Sequence, residues 1–169
     1  LATHDLSFDE VYNIIEKRYK DICANLSIDI DIDAILYDTR KKIKNGASKD
    51  YAASRGEYLN GLLLSHYLNF EFIDAAELIV FNGNGQFDSE ATQEKVKSCL
   101  SSVSHAVIPG FYGAMENGNI KSFSRGGSDI TGSIIARGVD AELYENWTDV
   151  SGFLMADPHI VKNPRPIEK

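Results

Sequence analysis

Apolar residues along the first third of the chain recur at helical spacing. Phe8, Val11, Ile14, Ile15, Tyr19 and Ile22 share one face of a 3.6-residue period, and Ser7-Phe8-Asp9-Glu10 ahead of them is a capping-box pattern. Between Ser27 and Asp33 isoleucines alternate with aspartates, which fits a short strand or a loop entering a second helix. That helix runs through Ala34, Ile35, Leu36, Thr39 and Ile43, with basic residues late and Gly46 as its stop. A third helical stretch spans about Ser48 to Asn69, with Ala52, Leu59, Leu62, Leu63 and Tyr67 apolar and Leu64 and Leu68 broadening the stripe. Residues 1–69 are therefore predicted to be mainly helical.

The period changes after residue 70. Glu71-Phe72-Ile73 and Leu78-Ile79-Val80-Phe81 are β-like, and Asn82-Gly83-Asn84-Gly85 closes them with turn chemistry. A short helix follows from Ala91 to Leu100. Ala106 to Phe111 reads as a strand running into a glycine-containing turn, and Ala114 to Lys121 as a hairpin with Asn117-Gly118 at its tip. A helix of small residues to Arg137-Gly138 and a strand from Glu142 to Trp147 complete the pattern. Strand, helix and strand in that order predict an α/β segment over 70–161 with a partly parallel sheet. Residues 162–169 read as a tail.

Composition narrows the partners. With 169 residues the chain suits one domain, and 17 basic against 25 acidic residues leave a formal charge of −8. Nucleic-acid binding needs basic surface, so no nucleic-acid partner is expected, although a local pocket for one nucleotide stays open. No apolar run approaches the roughly 20 residues that span a bilayer, and no basic-then-apolar leader is present, so no membrane partner and a cytoplasmic location are expected. Cys23 and Cys99 stand in no paired motif and read as reduced thiols. The histidines form no ligand pair. Asp29, Asp31 and Asp33 lack the glycine and closing glutamate of a calcium loop, so no metal site of the protein's own is expected.

Three places carry candidate chemistry. In Arg125-Gly126-Gly127-Ser128-Asp129 two glycines permit a sharp bend and close approach, and Ser128 is a good N-cap for the following helix. Free N–H groups and the positive dipole end there favour an anion, to which Arg125 adds a planar fork. Asp129 in the first turn also suits the helix dipole alone. The run is neither a P-loop nor a dinucleotide fingerprint. Thr148 and Asp149 follow a predicted strand, at the edge where open α/β sheets bind ligands, or form an ordinary capped turn. Ser54-Arg55-Gly56-Glu57 lies in a helical pattern, where Gly56 hints at close backbone approach. Glu57 suits an ammonium group or a solvated charge.

Together and in this order, these residues resemble the aspartokinases of the amino-acid kinase superfamily. The resemblance rests on Ser54 to Leu59, Phe123 to Thr131, Trp147 to Gly152 and Ala156-Asp157-Pro158, and covers roughly Tyr51 to Val161. It implies a three-layer α/β/α fold with a mainly parallel sheet, incomplete here and preceded by a helical half. It implies phosphorylation of the L-aspartate side-chain carboxylate by ATP with Mg²⁺, the first step toward lysine, threonine and methionine, in a homo-oligomer. Carried over, Glu57 holds the substrate ammonium, Arg125 with Gly126, Gly127 and Ser128 its α-carboxylate, and Asp129 organises the reaction centre. Thr148, Asp149, Leu154 and His159 contact the nucleotide.

The chain departs from the family in several places. The family's opening Lys-Phe-Gly-Gly-Ser strand, its later nucleotide-binding stretch and its C-terminal regulatory domains are not found. The chain thus reads as an excised central piece, inactive alone. Ser151, Leu154, Met155 and His159 replace an acidic, an aromatic, a threonine and an arginine residue, which touches the nucleotide side and leaves the aspartate side intact. Kinases of acetylglutamate, glutamate or nucleotides are the nearest alternatives, and a non-catalytic anion-binding or assembly fragment the more distant one.

Overall fold

Capping chemistry sets the bounds of the helical part in the computed structural model, which describes residues 7–147, 155–156 and 160–165. Helix α1 (Phe8–Leu26) starts at Ser7, whose N–H donates to Glu10 at 2.7 Å while its hydroxyl accepts the Glu10 N–H. Left-handed Ser27 ends it. The isoleucine–aspartate alternation is the loop of the two predicted options: Asp31 accepts the Ala34 N–H at 3.0 Å and caps helix α2 (Ile32–Lys44). Ser48 caps helix α3 (Lys49–Leu68), which stops at left-handed Asn69. Tyr19, Cys23, Ile32, Leu36, Leu59 and Leu63 bury the facing sides of the three helices in one apolar cluster.

A second cluster forms around Leu78, Ile79, Phe81, Val96, Tyr112 and Ile134. It is built from β1 (Glu71–Phe72), α4 (Ala75–Leu78), β2 (Val80–Phe81), α5 (Ser89–Leu100), β3 (Ala106–Val107), β4 (Tyr112–Met115), β5 (Ile120–Ser122) and α6 (Gly127–Gly138). β1 pairs with β3 in parallel, as β2 does with β4, while β4 and β5 form the expected antiparallel hairpin. Gly113 lets β4 approach the side chain and carbonyl of Ile79, where a Cβ would collide. Helices α5 and α6 meet at Gly138, against Val96, and through the Gln93 amide donating to the Ile134 carbonyl at 3.2 Å.

Two expectations need correcting. Leu78 belongs to a single helical turn, because Asp74 accepts the Ala76 N–H at 3.0 Å and starts one there. The strand expected over Glu142 to Trp147 is irregular and exposed, with Trp147 88% accessible, and no neighbouring strand pairs with it among the described residues. Among the described residues the five strands are each two to four residues long. No helix among the described residues is long and apolar enough to cross a membrane.

Candidate functional site

The corner Pro109-Gly110-Phe111 joins β3 to β4, and Phe111 takes a left-handed conformation with φ +61°. Such a conformation costs on the order of 1–3 kcal/mol for a residue with a Cβ and persists only where its surroundings hold it. Here both backbone polar groups are held. The Phe111 N–H donates to Thr131 Oγ1 at 3.1 Å, and its carbonyl accepts the Phe123 N–H at 2.9 Å. Thr131 Oγ1 in turn donates to the Gly127 carbonyl at 2.8 Å. Gly127 lies flat against this corner: a Cβ there would stand 2.6 Å from the Phe111 Cβ and 2.7 Å from its Cα.

This packing places the start of α6. The cap is Gly126, left-handed at φ +59°, with no side-chain hydrogen bond closing the helix end. Ser128, expected as the cap, lies instead inside the first turn, because the left-handed step that the turn needs falls to the glycine two positions earlier. Ser128 faces Gly110, where an added Cβ would come within 3.1 Å of its Oγ. The first turn, with no side-chain cap, keeps N–H groups without helical partners and carries the positive dipole end. Arg125 is exposed, immediately ahead of the cap.

Glu57, half-buried on α3, and Ser128 line one cavity of about 490 Å³, with Ile108, Gly110, Thr131 and Tyr144 among its walls. Asp129 lines a neighbouring hollow of about 430 Å³ with Phe87, Gln93 and Arg137. Tyr144 walls both spaces, its ring packed on Gly132 so that a Cβ there would meet Cζ at 2.8 Å. Asn146 Nδ2 donates to Asp129 Oδ1 at 3.3 Å, and Arg125 lines neither of these two spaces. The fold therefore brings Glu57 to Ser128, reaches Arg125, Gly126 and Gly127 through the same turn, and sets Asp129 on the far side of Tyr144.

Gly56 differs from expectation. A Cβ there would meet nothing within 4 Å, so no backbone approaches it; instead its carbonyl accepts the Tyr19 hydroxyl at 3.1 Å. Thr148, Asp149, Leu154 and His159 lie outside the described residues, as does Asp157-Pro158. Residue type alone did not reveal that Phe111 and Thr131 bond each other. A threonine four residues beyond a buried glycine was the one available signal, since that spacing returns its hydroxyl to the glycine carbonyl. Behind the corner, Tyr112 is fully buried and donates to Asp74 Oδ1 at 2.6 Å. Burial first, and then the Asp74 charge, push its phenol well above the ordinary tyrosine range.

Residues 8–169 match the amino acid kinase family. Aspartokinase 3 of Bacillus subtilis (strain 168) is 36% identical over 129 residues, covering 71% of this chain and 28% of that protein. Aspartokinase 1 of the same organism is 31% identical over 141 residues, covering 79% and 35%. The crystal structure of Clostridium acetobutylicum aspartate kinase, described as an important allosteric enzyme, aligns with a TM-score of 0.83 and 61% identity over 95% of this chain and 37% of that one. E. coli aspartokinase III in complex with aspartate and ADP shares the fold, with a TM-score of 0.63 at 22% identity over 92% and 36%. The chain thus spans between 28% and 37% of the length of these relatives.

Proposed function

The chain belongs to the amino acid kinase family, and from that premise we propose that the protein carrying it is an aspartate kinase. It transfers the terminal phosphoryl group of ATP to the side-chain carboxylate of L-aspartate, giving 4-phospho-L-aspartate. The observation that carries this reading is the shared cavity of Glu57 and Ser128, which puts an acidic group and a first-turn residue of a helix without a side-chain cap on one space. A free amino acid presents one ammonium and one α-carboxylate, and the two sides of the cavity complement them in sign. An acetylated amine or a nucleoside monophosphate would leave Glu57 unmatched.

Each residue then has a role. Glu57 accepts the ammonium. Arg125 folds over the turn and, with the backbone of Gly126, Gly127 and Ser128, binds the α-carboxylate. Asp129 organises the polar network beside the reacting carboxylate through Asn146. The acceptor is already ionised near neutral pH, so no general base is needed. Catalysis consists of positioning and of neutralising the charge on the transferred group.

Thr148, Asp149, Leu154 and His159 contact the nucleotide in this reading. Mg²⁺ would arrive on the nucleotide phosphates with its own waters and would supply charge neutralisation there. The protein works as a cytoplasmic homo-oligomer on the path toward lysine, threonine and methionine.

The test uses the intact protein with ATP, Mg²⁺ and hydroxylamine, which traps an acyl phosphate as a hydroxamate. Hydroxamate should accumulate with L-aspartate and not with N-acetyl-L-glutamate. ATP turnover with the acetylated acid or a nucleoside monophosphate, and none with L-aspartate, would overturn the proposal.

A further inference from the structure

We infer that Arg55 is a positioning residue for the amino-acid side of this site. It locks α3, which carries Glu57, to the Phe111–Gly127 corner, which carries Ser128. The inference deepens the aspartate-kinase reading and rests on it.

Arg55 is only 8% exposed. Its guanidinium carbon sits 4.3 Å from the Tyr58 ring centroid, 4.5 Å from that of Tyr51 and 5.6 Å from that of Tyr112. Nε and Nη2 both donate to Ser54 Oγ, at 3.1 and 2.9 Å. None of the ion pairs among the described residues includes Arg55. Burying a guanidinium with no carboxylate against it is costly, and a methionine would fill the same volume without that cost. What offsets the cost is the set of aromatic faces, together with Asp74 held one hydroxyl away through Tyr112.

The consequence is geometric. Tyr51 and Tyr58 lie on α3 with Arg55, whereas Tyr112 opens β4. The cation therefore joins the helix to the strand at the residue next to Phe111. Phe111 in turn seats Gly127 and bonds Thr131. Arg55 lines no part of the Glu57–Ser128 cavity, so it acts on that cavity through Tyr112 and Phe111.

The experiment measures KM for L-aspartate and for ATP in the intact protein. Arg55→Met, Arg55→Lys and Ser54→Ala are compared with Glu57→Gln and Arg125→Ala. Arg55→Met should raise the aspartate KM about tenfold with the ATP KM unchanged, the order expected of a residue coupled through its neighbours. Arg55→Lys, which keeps the charge over the rings, should restore most of it. Ser54→Ala removes the acceptor and should give a smaller rise, and it serves if Arg55→Met does not fold. An unchanged aspartate KM, or both KM values rising together, overturns the role. If Glu57→Gln and Arg125→Ala leave the aspartate KM unchanged, the substrate-site reading itself falls. If they raise it and Arg55→Met does not, only the role of Arg55 falls. Amide hydrogen exchange on the intact protein provides a readout apart from activity. Arg55→Met should speed exchange at Phe111 and Phe123 and leave α1 as it was, whereas uniform acceleration overturns the inference.

Discussion

Thr131 Oγ1 accepts the backbone N–H of Phe111 at 3.1 Å, so one helical hydroxyl holds a residue that has left the ordinary backbone regions. The same oxygen donates to the Gly127 carbonyl at 2.8 Å, which joins the corner to the glycine turn in a single atom.

Thr131→Val keeps the shape and removes both bonds. The Phe111 N–H would then be left without its partner beside a residue only 2% exposed, which costs about 1–3 kcal/mol. Urea denaturation of the variant should show that loss, while Thr131→Ser should recover most of it. Equal stability of the valine variant would mean that Phe111 holds its conformation unaided.

Two glycine substitutions should move stability in opposite directions. Gly127→Ala forces a methyl group to within 2.7 Å of the Phe111 Cα and should cost on the order of 1–3 kcal/mol through overpacking. Gly56→Ala adds its methyl where nothing lies within 4 Å, in the interior of α3, and should gain up to about 1 kcal/mol from helix propensity. Differential scanning calorimetry of the pair decides both signs at once.

Arg125→Ala should lower kcat/KM for L-aspartate in the intact protein by on the order of 2–4 kcal/mol, the range for a lost charge-assisted contact covered by ligand. Stability should barely move, since Arg125 is exposed. Wild-type kcat/KM in this variant would remove Arg125 from the site.

Asp50 makes the hairpin sensitive to acid. Ser122 donates to its carboxylate at 2.5 Å and Lys121 at 3.3 Å, and these contacts, the hydroxyl first, hold its pKa below the ordinary aspartate value. A carboxyl lowered by folding adds stability above its unfolded pKa and loses it as pH falls through the folded one. Wild type should therefore exceed Asp50→Asn in stability at pH 7, and the gap should close below about pH 4. A gap that persists at pH 2–3 would show that the asparagine acts by another route.

The helices were legible because their signals are local. Ser7, Asp31 and Ser48 each cap with their own side chains, and the apolar period behind them is long. The sheet was legible in order and partly in direction, but Leu78 went into a helical turn once Asp74 supplied a cap. Glu142 to Trp147 has strand-like residues and no pairing partner among the described ones, and alternation alone does not make a ladder. In the run from Arg125 to Asp129, residue types predicted a glycine bend, and Gly126 takes the left-handed step there. They could not show that Gly126, not Ser128, caps α6, since that depends on how Phe111 packs. Nor could local pattern reveal Arg55 among tyrosines, because Tyr112 arrives from a distant strand.

Trp147 is the chain's only tryptophan, and it stands almost wholly in water. Its indole emission therefore starts at long wavelength and hardly changes when the two apolar clusters melt; unfolding must be followed through tyrosine or circular dichroism. The same isolation makes it a clean optical reporter of its surroundings. A blue shift on adding nucleotide would mark the moment at which the Trp147 indole is covered.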